Sequence, residues 1–402
     1  MSIQTTPNMP SPDELAARAR AIAPAIRSRA REAEQQTCVP EATLDEFRSA
    51  ELYRTMQPKR FGGYEYDFGA MVDISYEIGR GCASTAWVTG LYIVHNWILG
   101  QFADEAQHDV WDDTPWAVIS GSYPPAGKAT RVDGGFRLSG SFGFSSGCDG
   151  SQWTICGAMI PPKKDGEKPK PGFMLVPAKD YKIDQSSWDT VGLRGSGTKT
   201  LFIDDIFVPE HRILYFEDAS SPNAPGTAVN KDPLFQIPFL ALIPYSLATP
   251  SIGAVSAAID DFIDTTSGRA TRGAVKGAGM KMIEFATVQL RIAEAAANVD
   301  AARLLQKNDC RETYAEVIKN GIVSMPSRMR NRRNHAFVTR SMKQSIDGLF
   351  TALGGHGLYL STEIQRAWRD VHAIAAHVSL NWDAVGSMYG QHRFGLEPQG
   401  QY

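Results

Sequence analysis

The chain has 402 residues, of which 43% are hydrophobic and 21% charged, so it is long enough for two or three sub-domains that each bury a core. Its formal net charge of −3 gives no electrostatic reason to expect a nucleic acid or an anionic membrane as partner. The five cysteines form no Cys-x-x-Cys pair, which argues against a disulfide framework or a zinc site and is typical of a cytoplasmic protein.

The first third of the chain has the pattern of a helical domain. Ser11-Pro12-Asp13-Glu14 combines a capping serine, a first-turn proline and a glutamate that can return the cap bond, which predicts the start of a helix. A second helix is predicted at about 41–50. The stretch 86–102 is the most apolar, but His95 and Asn96 interrupt it, so we expect a buried helix rather than a membrane span.

The middle of the chain changes to short apolar runs separated by turn residues, between Ala117 and Val208. Asp133-Gly134-Gly135 has the composition of a hairpin turn. The segment 161–171 is rich in lysine and proline and is predicted to be a solvated loop. Many short strands joined by close turns predict a small barrel or sandwich.

The last third returns to helical spacing. One helix carries a stripe of small and apolar residues that we expect to face its neighbours in a bundle: Ile283, Ala286, Leu290, Ala293 and Ala297. Another is predicted to begin at Pro326 and to end at Gly354-Gly355, with an apolar stripe at Val338, Met342, Ile346, Leu349 and Leu353. The predicted order is therefore a helical domain at 1–115, a β-domain at 116–215 and a helical bundle at 216–402.

Two histidines and a serine pair are candidates for chemistry. His95 lies in an apolar helical stretch, where a histidine is more often a hydrogen-bonded core residue, and His372 follows Arg369-Asp370 in a charged segment. Since histidine is both the usual acid–base group and a common structural residue, neither position by itself decides between a chemical and a structural role. Ser145-Ser146 has hydroxyls that suit either a ligand or an ordinary turn.

Other kinds of site find no support in the residue spacing. The eight histidines show no paired ligand spacing, which argues against a metal site. The glycine-rich segment 192–197 lies among predicted strands and lacks the spacing of a dinucleotide-binding loop. The arginine-rich run from Arg328 to Arg340 is interpreted as a solvated or inter-subunit helix face, because the chain as a whole is slightly acidic.

Six segments, taken together, resemble the oxygenase components of two-component flavin-dependent monooxygenases. In chain order they are 57–63, 83–88, 95–97, 145–149, 191–197 and 368–372. This group includes the oxygenases that act on p-hydroxyphenylacetate, on seco-steroid phenols and on indoles in aromatic catabolism. Its members are similar in fold to acyl-CoA dehydrogenases, which implies an N-terminal helical domain, a central β-barrel or sandwich and a C-terminal four-helix bundle.

The resemblance also implies a reaction and its partners. A separate NAD(P)H-dependent reductase supplies reduced flavin, FMNH2 or FADH2, and O2 adds to it to give a C(4a)-hydroperoxide. One oxygen atom then passes to a small phenolic or indolic substrate by hydroxylation or epoxidation, so the protein must exclude water and orient the ring. The resemblance further implies a homotetramer, in which the flavin lies between the β-domain and the bundle, near a neighbouring subunit.

Residue roles follow from the same resemblance. His372 matches the catalytic histidine, while His95 and Ser120 match substrate-binding positions, with Ser122 as a rival to Ser120. Either Ser145 or Ser146 matches the serine near flavin N5, which has a catalytic as well as a binding role. The residues that resemble the flavin-phosphate site are Arg272, Gly354 and Gly355.

Three other interpretations share the fold. An acyl-CoA dehydrogenase needs a carboxylate base, and the position that the resemblance gives to that glutamate holds Val378, which cannot take a proton. A monooxygenase that oxidises sulfur or nitrogen is a closer variant. A ligand-binding protein without catalysis is disfavoured because His95, Ser145, Ser146 and His372 are all retained.

Overall fold

The computed structural model describes residues 9–164, 166–271 and 279–402, and its elements follow the order helices, sheet, helices. The main helices before the sheet are α1 (Pro12–Gln36), α2 (Glu41–Ser49), α3 (Phe68–Gly81), α4 (Ala83–Leu99) and α5 (Asp104–Trp111). The strands are β1 (Ile119–Val132), β2 (Gly135–Ser145), β3 (Trp153–Ile160), β4 (Lys170–Pro177), β5 (Lys182–Asp184), β6 (Lys199–Pro209) and β7 (Ile213–Tyr215). The helices after the sheet are α6 (Phe216–Ala219), α7 (Phe239–Leu242), α8 (Pro244–Ser267), α9 (Ala286–Asn320), α10 (Met325–Leu353), α11 (Glu363–Ala375) and α12 (Trp382–Arg393).

The N-terminal helices confirm the local predictions. Ser11 Oγ accepts from the Glu14 amide at 3.2 Å, and the Glu14 carboxylate accepts from the Ser11 amide at 2.6 Å, so α1 begins with the expected capping box. Every residue of α4 is buried, because the helix is apolar on all sides and packs between α3, α8 and β1. Helix α4 is thus a core helix, as its composition predicts.

The β-domain is one seven-stranded sheet with the strand order β5-β6-β2-β1-β3-β4-β7. Strands β1 and β2 form the predicted hairpin, in which Val132 pairs with Gly135 around the Asp133-Gly134 turn. The other neighbours are antiparallel except for β1 and β3, which are parallel. The expectation of a β-domain is confirmed, but β1, β2 and β6 are longer than predicted, with 14, 11 and 11 residues. The arrangement observed is a mixed sheet with β5 and β7 at its edges.

The C-terminal bundle is built from α8, α9, α10 and α11, which pack against one another. Helix α10 has Pro326 in its first turn and buries the predicted stripe, which consists of Val338, Met342, Ile346, Leu349 and Leu353. It ends at Gly354, whose left-handed φ of 58° is easily adopted by glycine.

The prediction that the stripe of small and apolar residues on α9 faces its neighbours in the bundle was wrong for the single chain. Ile283 and Leu290 are 42% and 63% exposed, and the three alanines of the stripe are exposed as well. The helix instead buries Val288, Ala295, Val299 and Ala302. Helix α9 carries apolar residues on more than one side, so a spacing of three and four fits two stripes, and only packing against α8 and α10 selects one.

The arginine-rich run on α10 is partly buried rather than a fully solvated face. Arg332 is buried, and Arg330 pairs with Asp309 at 3.2 Å and with Glu312 at 2.5 Å. One described segment, Phe239–Ser267, is long and apolar enough to cross a membrane, but 94% of its most apolar window is buried inside the protein. Such burial is typical of a core helix.

Candidate active site

Ser145 and Ser146 lie where β2 leaves the sheet. Phe144 just before them has a left-handed φ of 61° and is 75% exposed, whereas both serines are buried. Ser145 Oγ has no hydrogen-bond partner among the described residues. Ser146 Oγ, in contrast, accepts from Trp87 Nε1 at 2.9 Å. The two adjacent hydroxyls are therefore in different environments.

Ser146 is the first member of a chain of hydroxyl groups. Its Oγ lies 2.8 Å from Thr198 Oγ1, which lies 2.7 Å from Ser196 Oγ. Ser196 Oγ in turn donates to the carbonyl of Leu193 at 2.7 Å. We call these hydroxyls of Ser146, Thr198 and Ser196 the hydroxyl chain. It connects Trp87 on α4 to the glycine-rich turn before β6.

Trp87 also contacts His377, which follows α11. The two rings meet edge to face, with centroids 5.6 Å apart. The Ser379 amide donates to His377 Nδ1 at 3.2 Å, so the neutral imidazole carries its proton on Nε2. Burial, reinforced by the charge of Arg332, lowers the pKa of His377 to about 4, so the ring is neutral at pH 7. Trp87 thus links a neutral histidine to the hydroxyl chain.

His95 on α4 is also neutral and has a fixed tautomer. Its Nδ1 lies 2.5 Å from the Ile119 carbonyl, which can only accept, so Nδ1 carries the proton. Burial lowers the pKa of His95 to about 4, although the bond to Ile119 raises it in part. Nε2 is buried and has no partner in the described part of the chain, so it presents a free lone pair.

An aromatic cluster lies beside His95. The Tyr123 ring centroid is 5.7 Å from that of His95, 5.4 Å from that of Phe173 and 5.1 Å from that of Phe239. Tyr123 OH is buried and has no partner among the residues described. A Cβ added at Gly121 would lie 3.2 Å from His95 Cε1 and 3.3 Å from Tyr123 Cε1, so this glycine lies directly against both rings.

The structure does not bring Ser120 together with His95. Ile119, Gly121 and Tyr123 point towards the helices, so their neighbours Ser120 and Ser122 point to the opposite face of β1. Ser120 Oγ accepts from Ser151 Oγ at 3.1 Å, and Ser122 Oγ donates to the Gly143 carbonyl at 2.7 Å.

His372 lies in a network of its own. Its Nε2 is 2.8 Å from Asp347 Oδ1, to which Trp368 Nε1 also donates at 2.7 Å. Trp368 stacks on Phe350 with centroids 5.0 Å apart, and Lys343 pairs with Asp347 Oδ2 at 3.1 Å. Burial raises the pKa of Asp347, but the hydrogen bonds from His372, Trp368 and Lys343 outweigh it and lower the pKa overall. None of these residues belongs to the hydroxyl chain.

The neighbouring Arg369 and Asp370 join α11 to the loop before β6. Asp370 Oδ1 accepts from the Leu193 amide at 2.7 Å, and Arg369 donates to the Val191 carbonyl at 2.8 Å. A Cβ at Gly192 would lie only 2.2 Å from the Arg369 carbonyl oxygen, so the two backbones approach closely here. Arg369 and Asp370 therefore connect the bundle to the β-domain.

The remaining predicted site residues lie apart from these groups. Gly354 and Gly355 form an exposed turn after α10, with no atom within 4 Å of an added Cβ at either position. Arg272 lies outside the described residues. No group of three or more His, Cys, Asp or Glu side chains suited to a metal ion occurs in the described ranges.

The residues of this site that were not predicted as site residues include Tyr123, Thr198 and His377. Thr198 directly follows the glycine-rich segment, and His377 directly precedes Val378, so a signal was present beside each of these two. Tyr123 directly follows Ser122, but its unpartnered hydroxyl becomes visible only once β1 is packed against α4 and α7.

Two family models match the chain and together cover more than half of it. "Acyl-CoA dehydrogenase, N-terminal domain" matches residues 12–111, and "Acyl-CoA dehydrogenase, C-terminal domain" matches residues 245–382. The FADH(2)-dependent resorcinol hydroxylase oxygenase component of Rhizobium sp. MTP-10005 is 43% identical over 99% of this chain and 97% of its own length. The flavin-dependent monooxygenase oxygenase subunit HsaA of Rhodococcus jostii RHA1 is 36% identical over 94% of this chain and 97% of its own.

Solved structures agree with these relatives. The 3-HSA hydroxylase from Rhodococcus sp. RHA1 has a TM-score of 0.89 and 33% identity, covering 96% of this chain and 98% of that one. XiaF from Streptomyces sp., in complex with FADH2 and glycerol, has a TM-score of 0.88 and 26% identity over 97% of both chains. The chain therefore belongs to the flavin-dependent monooxygenases of the acyl-CoA dehydrogenase fold, as an oxygenase component that uses reduced flavin and O2.

Proposed function

We propose that the enzyme hydroxylates a phenol whose hydroxyl group is held by His95. The observation that carries this proposal is the buried, neutral Nε2 of His95, which has no partner among the described residues. A phenolic O–H can donate to this lone pair, and the hydrogen bond increases the electron density of the ring that receives oxygen. Relatives that hydroxylate resorcinol and p-hydroxyphenylacetate support this substrate class.

The aromatic cluster provides the rest of the substrate site in this proposal. Phe173 and Phe239 present apolar rings on which a planar substrate can stack. Besides His95 Nε2, Tyr123 OH supplies a second buried polar group without a partner in the described chain, so a dihydroxybenzene is favoured over a simple phenol. Ser120 was proposed as a substrate contact from the resemblance, and its position on the other face of β1 favours a supporting role within the strand.

We assign flavin binding to the part of the site that contains Ser145 and Ser146. Bound reduced flavin supplies the electrons that activate O2. The residues present fit this group, because Ser146 offers a hydroxyl oxygen and Ser145 Oγ is buried and lacks a partner in the described ranges. Arg272, Gly354 and Gly355 are proposed for the flavin phosphates on the strength of the resemblance.

Two histidines compete for the catalytic role beside the flavin. The resemblance favours His372, whereas the contacts favour His377, because His377 touches Trp87 and Trp87 donates to Ser146. The N–H on Nε2 of His377 can donate a hydrogen bond to a group at the hydroxyl chain. We therefore propose His377 as the hydrogen-bond donor beside the flavin, with His372, held by Asp347, as the alternative.

The oxygenase-component relatives imply a separate flavin reductase. A homotetramer in the cytoplasm is the further proposal, and exposed apolar side chains of the C-terminal part support the assembly. They include Leu290, Leu304, Leu358, Leu360 and Phe394.

We further propose domain boundaries near residues 115 and 215. They coincide with the change from α5 to β1 and from β7 to α6.

The test mixes the purified enzyme anaerobically with chemically reduced FAD and then with O2, in the presence of phenols and dihydroxybenzenes. We expect a product one oxygen atom heavier than the substrate, and a slower return of oxidised flavin than in free solution. The His95→Ala variant should bind reduced FAD but give little product. Prompt flavin reoxidation without any oxygenated phenol contradicts the proposal.

Dehydrogenation of an acyl-CoA is the alternative activity of this fold, and the site does not support it. Val378, at the position compared with the dehydrogenase base, is apolar and 76% exposed, so it cannot remove a proton. A dehydrogenase would purify with oxidised flavin and lose its yellow colour on addition of an acyl-CoA.

A further inference from the structure

We infer that Thr198 makes the site selective for reduced over oxidised flavin, by fixing the direction in which the Ser146 hydroxyl donates. The inference rests on the proposed position of flavin N5 beside Ser146. It concerns how the site distinguishes the two redox states of one cofactor, which matters for an enzyme that receives its reduced flavin from another protein.

The direction of the hydroxyl chain follows from its acceptor end, the Leu193 carbonyl. Trp87 Nε1–H can only donate, and the Leu193 carbonyl can only accept. Each of the three hydroxyls between them has one proton, and each oxygen–oxygen gap of 2.7–2.8 Å requires one. The gap to Leu193 takes the Ser196 proton, so Thr198 donates to Ser196 and Ser146 donates to Thr198. The Leu193 end imposes this direction, and the Trp87 end is compatible with it.

Ser146 is therefore restricted to accepting from any further partner. Its proton is directed at Thr198, and one lone pair already accepts from Trp87. Only lone-pair density remains for a ligand. Because Ser146 is buried, bulk water cannot reach its hydroxyl and offer an alternative hydrogen-bond acceptor.

The two redox states of flavin differ in the group that N5 presents. Reduced flavin carries a hydrogen on N5 and donates it, whereas oxidised flavin has a lone pair on N5 and accepts. Ser146 as an acceptor forms a hydrogen bond with the reduced form and places two lone pairs against each other in the oxidised form. An unpaired buried acceptor is costly, so reduced flavin binds more tightly and oxidised flavin leaves after turnover.

Ser145 lacks this selectivity. Its hydroxyl has no partner in the described chain, so it can rotate and either donate or accept. If N5 faced Ser145 instead, the direction of the hydroxyl chain would have no effect on flavin binding. The selectivity of the site for reduced flavin therefore depends on Thr198, which acts through Ser146, and this dependence can be measured.

The test compares dissociation constants of oxidised FAD and of dithionite-reduced FAD, measured anaerobically by protein and flavin fluorescence. Thr198→Val removes the acceptor at nearly constant shape, so the proton of Ser146 becomes free to donate to oxidised N5. We expect the ratio of the two dissociation constants, oxidised over reduced, to fall about tenfold, which corresponds to one hydrogen bond. Thr198→Ser keeps the hydroxyl chain and should retain the wild-type ratio.

A second variant covers the case in which Thr198→Val fails to fold. Ser196→Ala frees the Thr198 proton to point back at Ser146, and the ratio should fall in the same direction. Thr266→Val is the matched control, because it removes a buried threonine hydroxyl that donates to Phe262 within α8. The control should keep the wild-type ratio.

Two outcomes overturn the inference, and a third concerns the proposed function. An unchanged ratio of the two dissociation constants in Thr198→Val and Ser196→Ala, or unchanged binding of both flavins in Ser146→Ala, shows that Ser146 does not distinguish the two redox states of N5. If the wild-type enzyme binds no reduced FAD at all, the flavin assignment itself fails. Binding with a wild-type preference that the variants do not alter leaves the monooxygenase proposal intact and rejects only the role of Thr198.

Discussion

The indole of Trp87 and the imidazole of His377 are in edge-to-face contact, with ring centroids 5.6 Å apart. Trp87 donates to Ser146, so His377 shares a contact network with the hydroxyl chain. His372 lies on the preceding helix and is held instead by Asp347 at 2.8 Å. This arrangement separates two histidines that lie close together in sequence, and it makes their roles distinguishable by experiment.

We predict that His377→Ala leaves the binding of reduced flavin nearly intact but uncouples hydroxylation, with a loss of product formation of about 100-fold or more, as for the removal of a hydrogen-bond donor to developing negative charge. The unused oxygen should appear as hydrogen peroxide. Product and peroxide are measured per NAD(P)H consumed, with the reductase present. The resemblance predicts the same result for His372→Ala, whereas the contacts predict a smaller one. A full product yield in the His377 variant would rule out the proposed role of this residue.

His95 should make the stability of the enzyme depend on pH. The unfolded imidazole has its ordinary pKa of 6.5, and the folded one about 4, so between these values the unfolded state binds more protons. The stability from this residue is present above pH 6.5 and is lost as the pH falls towards 4, by at most about 3 kcal/mol.

His95→Asn tests this dependence, because the asparagine amide can still donate to the Ile119 carbonyl. Urea unfolding at pH 7 and pH 5 should show a smaller loss of free energy in the variant than in the wild type. His108→Asn on the exposed side of α5 controls for the loss of a histidine. Equal losses in the wild type and in His95→Asn would contradict the prediction.

Tyr123→Phe should weaken substrate binding without lowering the stability of the enzyme. The Tyr123 hydroxyl is buried and has no partner in the described chain, so its removal should leave the free energy of unfolding unchanged or raise it by about 1 kcal/mol. The KM for a dihydroxybenzene should rise about tenfold, with a smaller effect on kcat, because one hydrogen bond to the substrate is lost.

Tyr181→Phe is the matched control for this variant. The Tyr181 hydroxyl is bonded to Ser151 Oγ at 3.2 Å, so its loss should lower stability while the KM stays unchanged. If Tyr123→Phe leaves the KM of every accepted phenol at the wild-type value, the substrate does not reach the Tyr123 hydroxyl.

Gly192→Ala should weaken the joint between the bundle and the β-domain. The added Cβ would lie 2.2 Å from the Arg369 carbonyl oxygen, and a backbone atom cannot rotate away. We expect a loss of about 1–3 kcal/mol in the free energy of unfolding, as for other overpacked sites, measured by urea unfolding. Gly268→Ala, with no atom within 4 Å of its Cβ, is the control and should show little change. A wild-type stability for Gly192→Ala would mean that the loop shifts freely.

The sequence by itself determined those features that depend on residues close together along the chain. The capping box of α1, the β1–β2 turn, the buried α4 and both ends of α10 were predicted correctly, because local hydrogen bonds and continuous apolar patterns produce them. The order of helices, sheet and bundle followed from changes in the same periodicity.

Only the tertiary structure decided which side chains meet. It decided which face of α9 is buried, because two apolar stripes on that helix fit the same spacing. It separated Ser120 from His95 through the alternation of β1, and it brought His377 to Trp87, far away in sequence. The direction of the hydroxyl chain likewise depends on contacts between α4, the end of β2 and the turn before β6. Such relationships arise from packing between distant elements, and a local pattern contains no information about them.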